Sequence, residues 1–208
     1  MNNAKIIRLF LFSFTLAGNA FASLFTIDQA YTGQTPPVLT WNVTEGNPIG
    51  QEFTPTLTSL NFVDLYTQDF NFAKGATGGV VSVEIRSQTI NGPILGTSTA
   101  DSLPGGFDGI TRFNFTTPVA LHPGSMDVIE IVHDSGDDWG VGIITPNNPP
   151  YPGGQWILQG SRETEGDMWF DEGIAVPEPS ALALFCTAGC LLLAKRKFKT
   201  EQGAKSTP

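Results

Sequence analysis

An all-β fold, an antiparallel two-sheet sandwich of jelly-roll type, is what the central part of this 208-residue chain predicts, and three observations predict it. Apolar and polar residues alternate in short runs, as where Val81, Val83 and Ile85 interleave with Ser82, Glu84 and Arg86. A period of two sends the two sets to opposite faces of a strand. Turn signals recur between such runs: Asn91-Gly92, Pro104-Gly105-Gly106, Pro123-Gly124 and Pro152-Gly153-Gly154, and short strands separated by such punctuation are the pattern of sandwiches and barrels. No helical period persists long enough to make an ordinary helix.

Taken in order, the first element is a leader. Lys5 and Arg8 charge it, Leu9 to Ala17 is almost wholly apolar, and Ala20-Phe21-Ala22 supplies the small-x-small pattern of a signal peptidase site. Residues 1–22 are therefore read as a signal peptide cut after Ala22. An uncleaved anchor is the alternative, but Gly18 and Asn19 leave its apolar run short for a span.

The domain that follows, residues 23–175, reads as strands at Leu24 to Ala30, Ile49 to Thr54, Ser59 to Thr67, Gly79 to Thr89, Ile94 to Ala100, Ile110 to Thr116, Met126 to Asp134, Trp139 to Ile144, Gln155 to Leu158 and Met168 to Phe170. Asn91-Gly92 between two of these runs signals a hairpin. Both cysteines, Cys186 and Cys190, lie in the tail, so the exported domain has no disulfide and depends on its own core, which about 150 residues can supply.

The last element is an address. Val176-Pro177-Glu178-Pro179-Ser180 leads into fourteen uncharged residues, Ala181 to Ala194, and then into Lys195, Arg196, Lys197 and Lys199. As a helix the apolar run reaches about 21 Å, a marginal membrane span whose flanking bases snorkel to the headgroups and hold the C-terminus in the cytoplasm. Pro177 and Pro179 keep a helix from running back into the domain and leave an extended, hydrated segment open to a processing enzyme. An ordinary single-span anchor is the plainer alternative.

This Pro-Glu-Pro motif, short hydrophobic helix and basic cluster resemble the PEP-CTERM sorting signal of Gram-negative bacteria. The resemblance covers residues 176–199; Thr200 to Pro208 form a cytoplasmic tail longer than the family usually carries. It implies recognition by exosortase, a membrane-embedded cysteine transpeptidase, cleavage near Pro177-Glu178-Pro179, and passage from transient inner-membrane anchoring to the cell surface or beyond. A second resemblance, to a β-sandwich module recurring in PEP-CTERM proteins, rests on Ile49-Gly50-Gln51-Glu52-Phe53-Thr54-Pro55, Gly92-Pro93-Ile94-Leu95-Gly96, Asp138-Trp139-Gly140, Tyr151-Pro152-Gly153-Gly154 and Asp167-Met168-Trp169-Phe170. It implies a sandwich like those of carbohydrate-binding and galactose-binding-like modules, with no agreed activity attached.

Removing both ends leaves four bases, Lys74, Arg86, Arg112 and Arg162, against eighteen acids, a net charge of −14. Such a surface repels nucleic acid and anionic headgroups but suits divalent cations or neutral glycans. Two candidate sites follow. Asp134, Asp137 and Asp138 offer hard oxygen ligands of the kind Ca²⁺ takes, although Gly136, Trp139 and Thr145 stand where an EF-hand loop needs an acid, Gly and Glu. A solvated turn is the other reading. Trp139, Tyr151, Trp156 and Trp169 could stack on sugar rings at a binding rim, or pack the core.

Catalysis finds no pattern. Gly96-Thr97-Ser98-Thr99-Ala100 lacks the last Gly and the helix of a nucleophile elbow, and His122 and His133 belong to no zinc motif. His122 before Pro123-Gly124 reads as a turn residue. The expectation is a non-enzymatic structural protein of the cell envelope or extracellular matrix, handled by signal peptidase and exosortase and needing no cofactor. The alternative is a module for extracellular polysaccharide, assisted by Ca²⁺.

Overall fold

A computed structural model describes residues 24–37, 39–70, 77–145 and 149–176. The expected leader with Ala20 and Ala22, the motif Pro177-Glu178-Pro179, the candidate span and the cluster Lys195, Arg196, Lys197 lie outside the described residues. Among the described residues no helix is long and apolar enough to cross a membrane.

The fold is all-β, with two antiparallel sheets facing one another across a shared core. Among the described residues fourteen strands appear: β1 Leu24–Tyr31, β2 Leu39–Asn42, β3 Ile49–Phe53, β4 Ser59–Asp69, β5 Gly79–Ser87, β6 Ile94–Thr97, β7 Asp101–Leu103, β8 Asp108–Ala120, β9 Asp127–Gly136, β10 Trp139–Ile144, β11 Trp156–Leu158, β12 Ser161–Arg162, β13 Asp167–Met168 and β14 Phe170–Val176; a single turn of helix, α1 Val43–Gly46, follows β2. The first sheet runs β1-β14-β4-β8, and β10 continues beside β4 beyond the end of β14 with β2 and β13 along its own edges. The second runs β12-β11-β3-β9-β5, and β6 and β7 share the outer edge of β5.

The alternation read from β5 places Val81, Val83 and Ile85 in the core, fully buried, opposite the half-buried Glu84 and Arg86. The same logic sends Val63 and Leu65 of β4 and Phe113 and Phe115 of β8 inward. The hairpin signalled by Asn91-Gly92 is present, Glu84 pairing with Thr97, over a connection longer than two residues. The expected turn at His122 also forms: Ser125 N donates to His122 O at 2.9 Å, and Gly124 takes φ 80°, the sign that the third position of a type II turn demands.

Four features depart from the sequence expectation. β2, β7 and β12 are short additions at sheet edges, held by pairing rather than by any strong pattern of their own. The fourth is larger: the last strand runs on to Val176, through Asp171, Glu172 and Gly173. Those residues look like a strand terminator, yet β14 lies between β1 and β4 and has ladder partners on both sides.

Candidate functional site

The Asp134–Asp138 segment ends β9 and leads into β10, and its carboxylates do not converge. Asp137 Oδ2 accepts from Thr77 N at 2.6 Å, Gly78 N at 3.0 Å and Thr77 Oγ1 at 3.2 Å, clamping the approach to β5. Asp138 turns to α1 instead, where Oδ1 accepts from Thr44 Oγ1 at 2.9 Å and Oδ2 from Asn42 Nδ2 at 3.4 Å. Asn42 is the cap of α1, its Oδ1 accepting from Thr44 N and Glu45 N. Asp134 is exposed. Gly136 takes φ 90°, and a Cβ there would strike the Gly78 backbone, so the loop is shaped to dock on β5. Among the described residues no three His, Cys, Asp or Glu side chains gather as a metal site. Asp134, Asp137 and Asp138 therefore do not converge as the Ca²⁺ expectation required: two of the three carboxylates serve as loop anchors aimed at different partners.

The aromatic expectation is corrected as well. Trp139 is 0% exposed, Trp156 5% and Tyr151 6%, all within the core between the sheets. Trp156 meets Trp41 edge to face at 6.1 Å, and Tyr151 stands perpendicular to Phe170 at 5.2 Å. Trp169 belongs to a separate cluster with Tyr66 and Ile144, and its Nε1 donates to Thr35 Oγ1 at 2.8 Å. A sugar needs an open ring face, and the three Trp rings are enclosed, while Tyr151, 6% exposed, borders the cleft described next. Sandwich interiors take such rings because burying them removes more apolar area from water than any other side chain can.

What the structure does bring together is a cleft of about 320 Å³ at one end of the sandwich, between the segments 150–155 and 163–167. Glu163, Asp167, Gln155 and Thr164 give it polar walls, and Pro150 and Pro152 apolar ones. Asp167 is 2% exposed; Oδ2 accepts from Tyr151 N at 2.9 Å and Oδ1 from Gln51 Nε2 at 3.2 Å. Burial raises its pKa above the usual carboxylate range, and these hydrogen bonds offset part of that shift. Gln51 closes the network, Oε1 accepting from Met168 N at 2.8 Å. Next to Gln51 on β3, Glu52 accepts from Arg162 Nε at 2.6 Å and from Gln155 N at 3.3 Å, which holds Gln155 beside the cleft. Among the described residues no Lys, Arg or His lines the cleft, and the carboxylates that line it favour hydroxyl or cationic groups over anions. Sequence reading noticed Tyr151-Pro152-Gly153-Gly154 and Asp167 separately; only the Asp167–Tyr151 bond across 16 residues joins them.

Two further polar groups matter electrostatically. Glu172, 0% exposed, has neither carboxyl oxygen in a well-formed hydrogen bond, and burial, then the neighbouring Asp28 carboxylate, push its pKa up to about 8 against a weaker pull from the Gln29 backbone N–H. On the outer face of the first sheet Arg112 grips Asp64 through Nε at 2.7 Å and through a second nitrogen at 2.6 Å, and lies over the rings of Phe25 at 4.0 Å and Phe62 at 4.2 Å. Asp171, opposite Asp64 in the ladder, is raised to about 6 by burial and then by that carboxylate, against the pull of Arg112. No protein-family model and no curated protein matches this chain, and its chemistry therefore rests on these contacts alone.

Proposed function

We propose that the chain is a secreted cell-envelope or matrix protein, delivered by its leader, sorted by a PEP-CTERM and exosortase system, and acting through a non-enzymatic jelly-roll ectodomain. One observation carries the reading: the compact unit spans Leu24–Pro177, beginning beside the expected leader cut and ending at the Pro-Glu-Pro motif. Both processing steps therefore fall outside the ladders, and Leu24 pairs with Val176, so removing either flank takes nothing from the sheets. The jelly-roll assignment draws on strand order: β1-β14-β4-β8 faces β3-β9-β5-β6, and the chain crosses repeatedly between the two sets. Replacing Pro177-Glu178-Pro179 by three Ala residues leaves full-length protein in the inner-membrane fraction of an exosortase-bearing host, while the unaltered chain loses its tail. Equal release of the two proteins in fractionation blots would end the exosortase reading.

The cleft supports a second reading, a polysaccharide-binding module that takes neutral sugar hydroxyls at Glu163, Asp167 and Gln155. Carboxylates and amides are the groups that sugar hydroxyls pair with, and a cleft of this size is at the lower end of small-ligand sites. On this reading, migration in native gels is retarded by a neutral extracellular polysaccharide, chelation leaves the retardation intact, and Glu163→Ala abolishes it. Chelator-sensitive retardation would return attention to Ca²⁺, and no retardation in any gel leaves the structural role standing alone.

A further inference from the structure

The exposed apolar surface of this domain is concentrated. Among the described residues eight large hydrophobic side chains are exposed, and four of them, Leu24 at 64%, Phe25 at 42%, Ile27 at 45% and Val176 at 37%, share one corner. The ladder explains why: Leu24 pairs with Val176, Phe25 with Ala175 and Ile27 with Gly173, so the start of β1 and the end of β14 finish together. β1 is also the edge of its sheet, with β14 on one side and no strand among the described residues on the other. Edge strands in soluble domains are commonly guarded by Lys or Pro, and Leu24–Tyr31 contains neither.

The charges beside this corner are already paired. Asp28 accepts from Thr56 N at 2.8 Å and Leu57 N at 2.9 Å, and Arg112 is held by Asp64 while its guanidinium covers the Phe25 ring. The corner therefore carries one carboxylate, Asp28, held by backbone N–H groups beside its four apolar side chains. Leu24 and Val176 stand on one face of the β1-β14 ribbon and Phe25 and Ile27 on the other, so it is the end of the ribbon, on both faces, that is apolar.

The chain itself indicates the partner. Val176 is followed by four residues, Pro177 to Ser180, and then by the uncharged run Ala181 to Ala194. Four extended residues reach at most about 14 Å. We propose that this corner seats on the lipid surface, with Leu24, Phe25, Ile27 and Val176 entering the headgroup boundary of the membrane that the tail enters. The inference rests on reading Ala181 to Ala194 as a membrane segment. Apolar side chains with a neighbouring Arg are the composition that lies in an interface, and each one buried there gains the transfer free energy of its exposed area. The contact suits zwitterionic lipid, because the acidic remainder of the domain is repelled by anionic headgroups.

The test uses the chain with its complete C-terminal tail, reconstituted in phosphatidylcholine vesicles, with Cys186→Ser and Cys190→Ser to remove the native thiols. Spin labels are placed singly at Leu24→Cys, Ile27→Cys and Val176→Cys, with Ile94→Cys, 50% exposed on β6, as the aqueous control. The expected result is vesicle flotation of all four proteins, severalfold greater collision with oxygen than with a water-soluble nickel complex at 24, 27 and 176, and the reverse at 94. Flotation with all labels equally wet overturns the lipid contact and leaves the membrane reading of the tail intact. Failure to float overturns both. Dipolar broadening between labels at position 24 on different molecules would show that a second copy covers the corner, which also overturns the proposal.

Discussion

Trp139→Ala lowers the stability of the β domain by about 3–5 kcal/mol, a fall of roughly 6–20 °C in melting temperature. The indole is 0% exposed, opens β10 opposite Asp69 of β4, and packs at 6.1 Å from Phe107. Its place is built into the chain around it: Gly79 begins β5 with no side chain, and a Cβ there would collide with the indole Nε1. Removing the ring leaves a cavity walled by two sheets whose ladders resist collapse, and cavity formation is what carries large-to-small core losses beyond simple transfer energies. Trp139→Phe is the sharper companion. The Nε1 of Trp139 is buried with no hydrogen-bond partner, so Phe keeps most of the packing and relieves a desolvated donor. Urea or thermal unfolding should rank the proteins as wild type and Phe variant close together, with Ala far below. A Trp139→Ala domain of native stability that had lost polysaccharide binding would instead reinstate this residue at a binding rim.

Glu172→Gln should flatten the pH dependence of stability between about pH 4.5 and 8. The sign follows from proton counting. Burial and the Asp28 carboxylate push the carboxyl up to about 8 in the folded domain against 4.5 for an ordinary glutamate, so over that interval the folded state retains a proton that the unfolded state has lost. Stability then falls as pH rises, and the loss is complete once pH passes the folded value. A shift of this size corresponds to about 3–5 kcal/mol. Gln mimics the protonated acid in shape and cannot ionise. The two proteins should unfold alike near pH 4.5, and the Gln variant should be the more stable by most of that amount near pH 9. Asp28, Asp171 and Tyr151 surround the site and titrate in both proteins, so the difference curve isolates Glu172. Parallel unfolding curves across the range would mean that Glu172 is already ionised in the fold.

The same residue shows where local pattern stopped being informative. A run of Asp171, Glu172 and Gly173 carries no β signal, and expectation ended the last strand at Phe170. Its neighbours decide otherwise: Gln29 pairs with Glu172 on one side and Val63 on the other, and the two ladders draw β14 out to Val176 despite the buried acid. Asp137 and Asp138 illustrate the matching limit for sites. Their clustering suggested shared chemistry, but carboxylates adjacent along a chain need not converge, and these reach separately for Gly78 and Thr44. In the reverse direction, Tyr151 and Asp167 lie 16 residues apart, with no motif spanning the gap, and meet at 2.9 Å beside the cleft.

The sequence by itself determined the all-β class, the period-two faces of β5, the hairpin at Asn91-Gly92 and the turn at Pro123-Gly124, because each follows from backbone sterics and side-chain alternation over a few residues. Only the tertiary structure decided that the four aromatic candidates are buried, that Asp137 and Asp138 reach for different partners, that the Glu172 side chain is enclosed in the core, and that four of the exposed apolar residues meet at the end of one ribbon. Those outcomes depend on which strands become neighbours, a long-range choice made by the burial of whole sheet faces, and no short stretch of sequence encodes it.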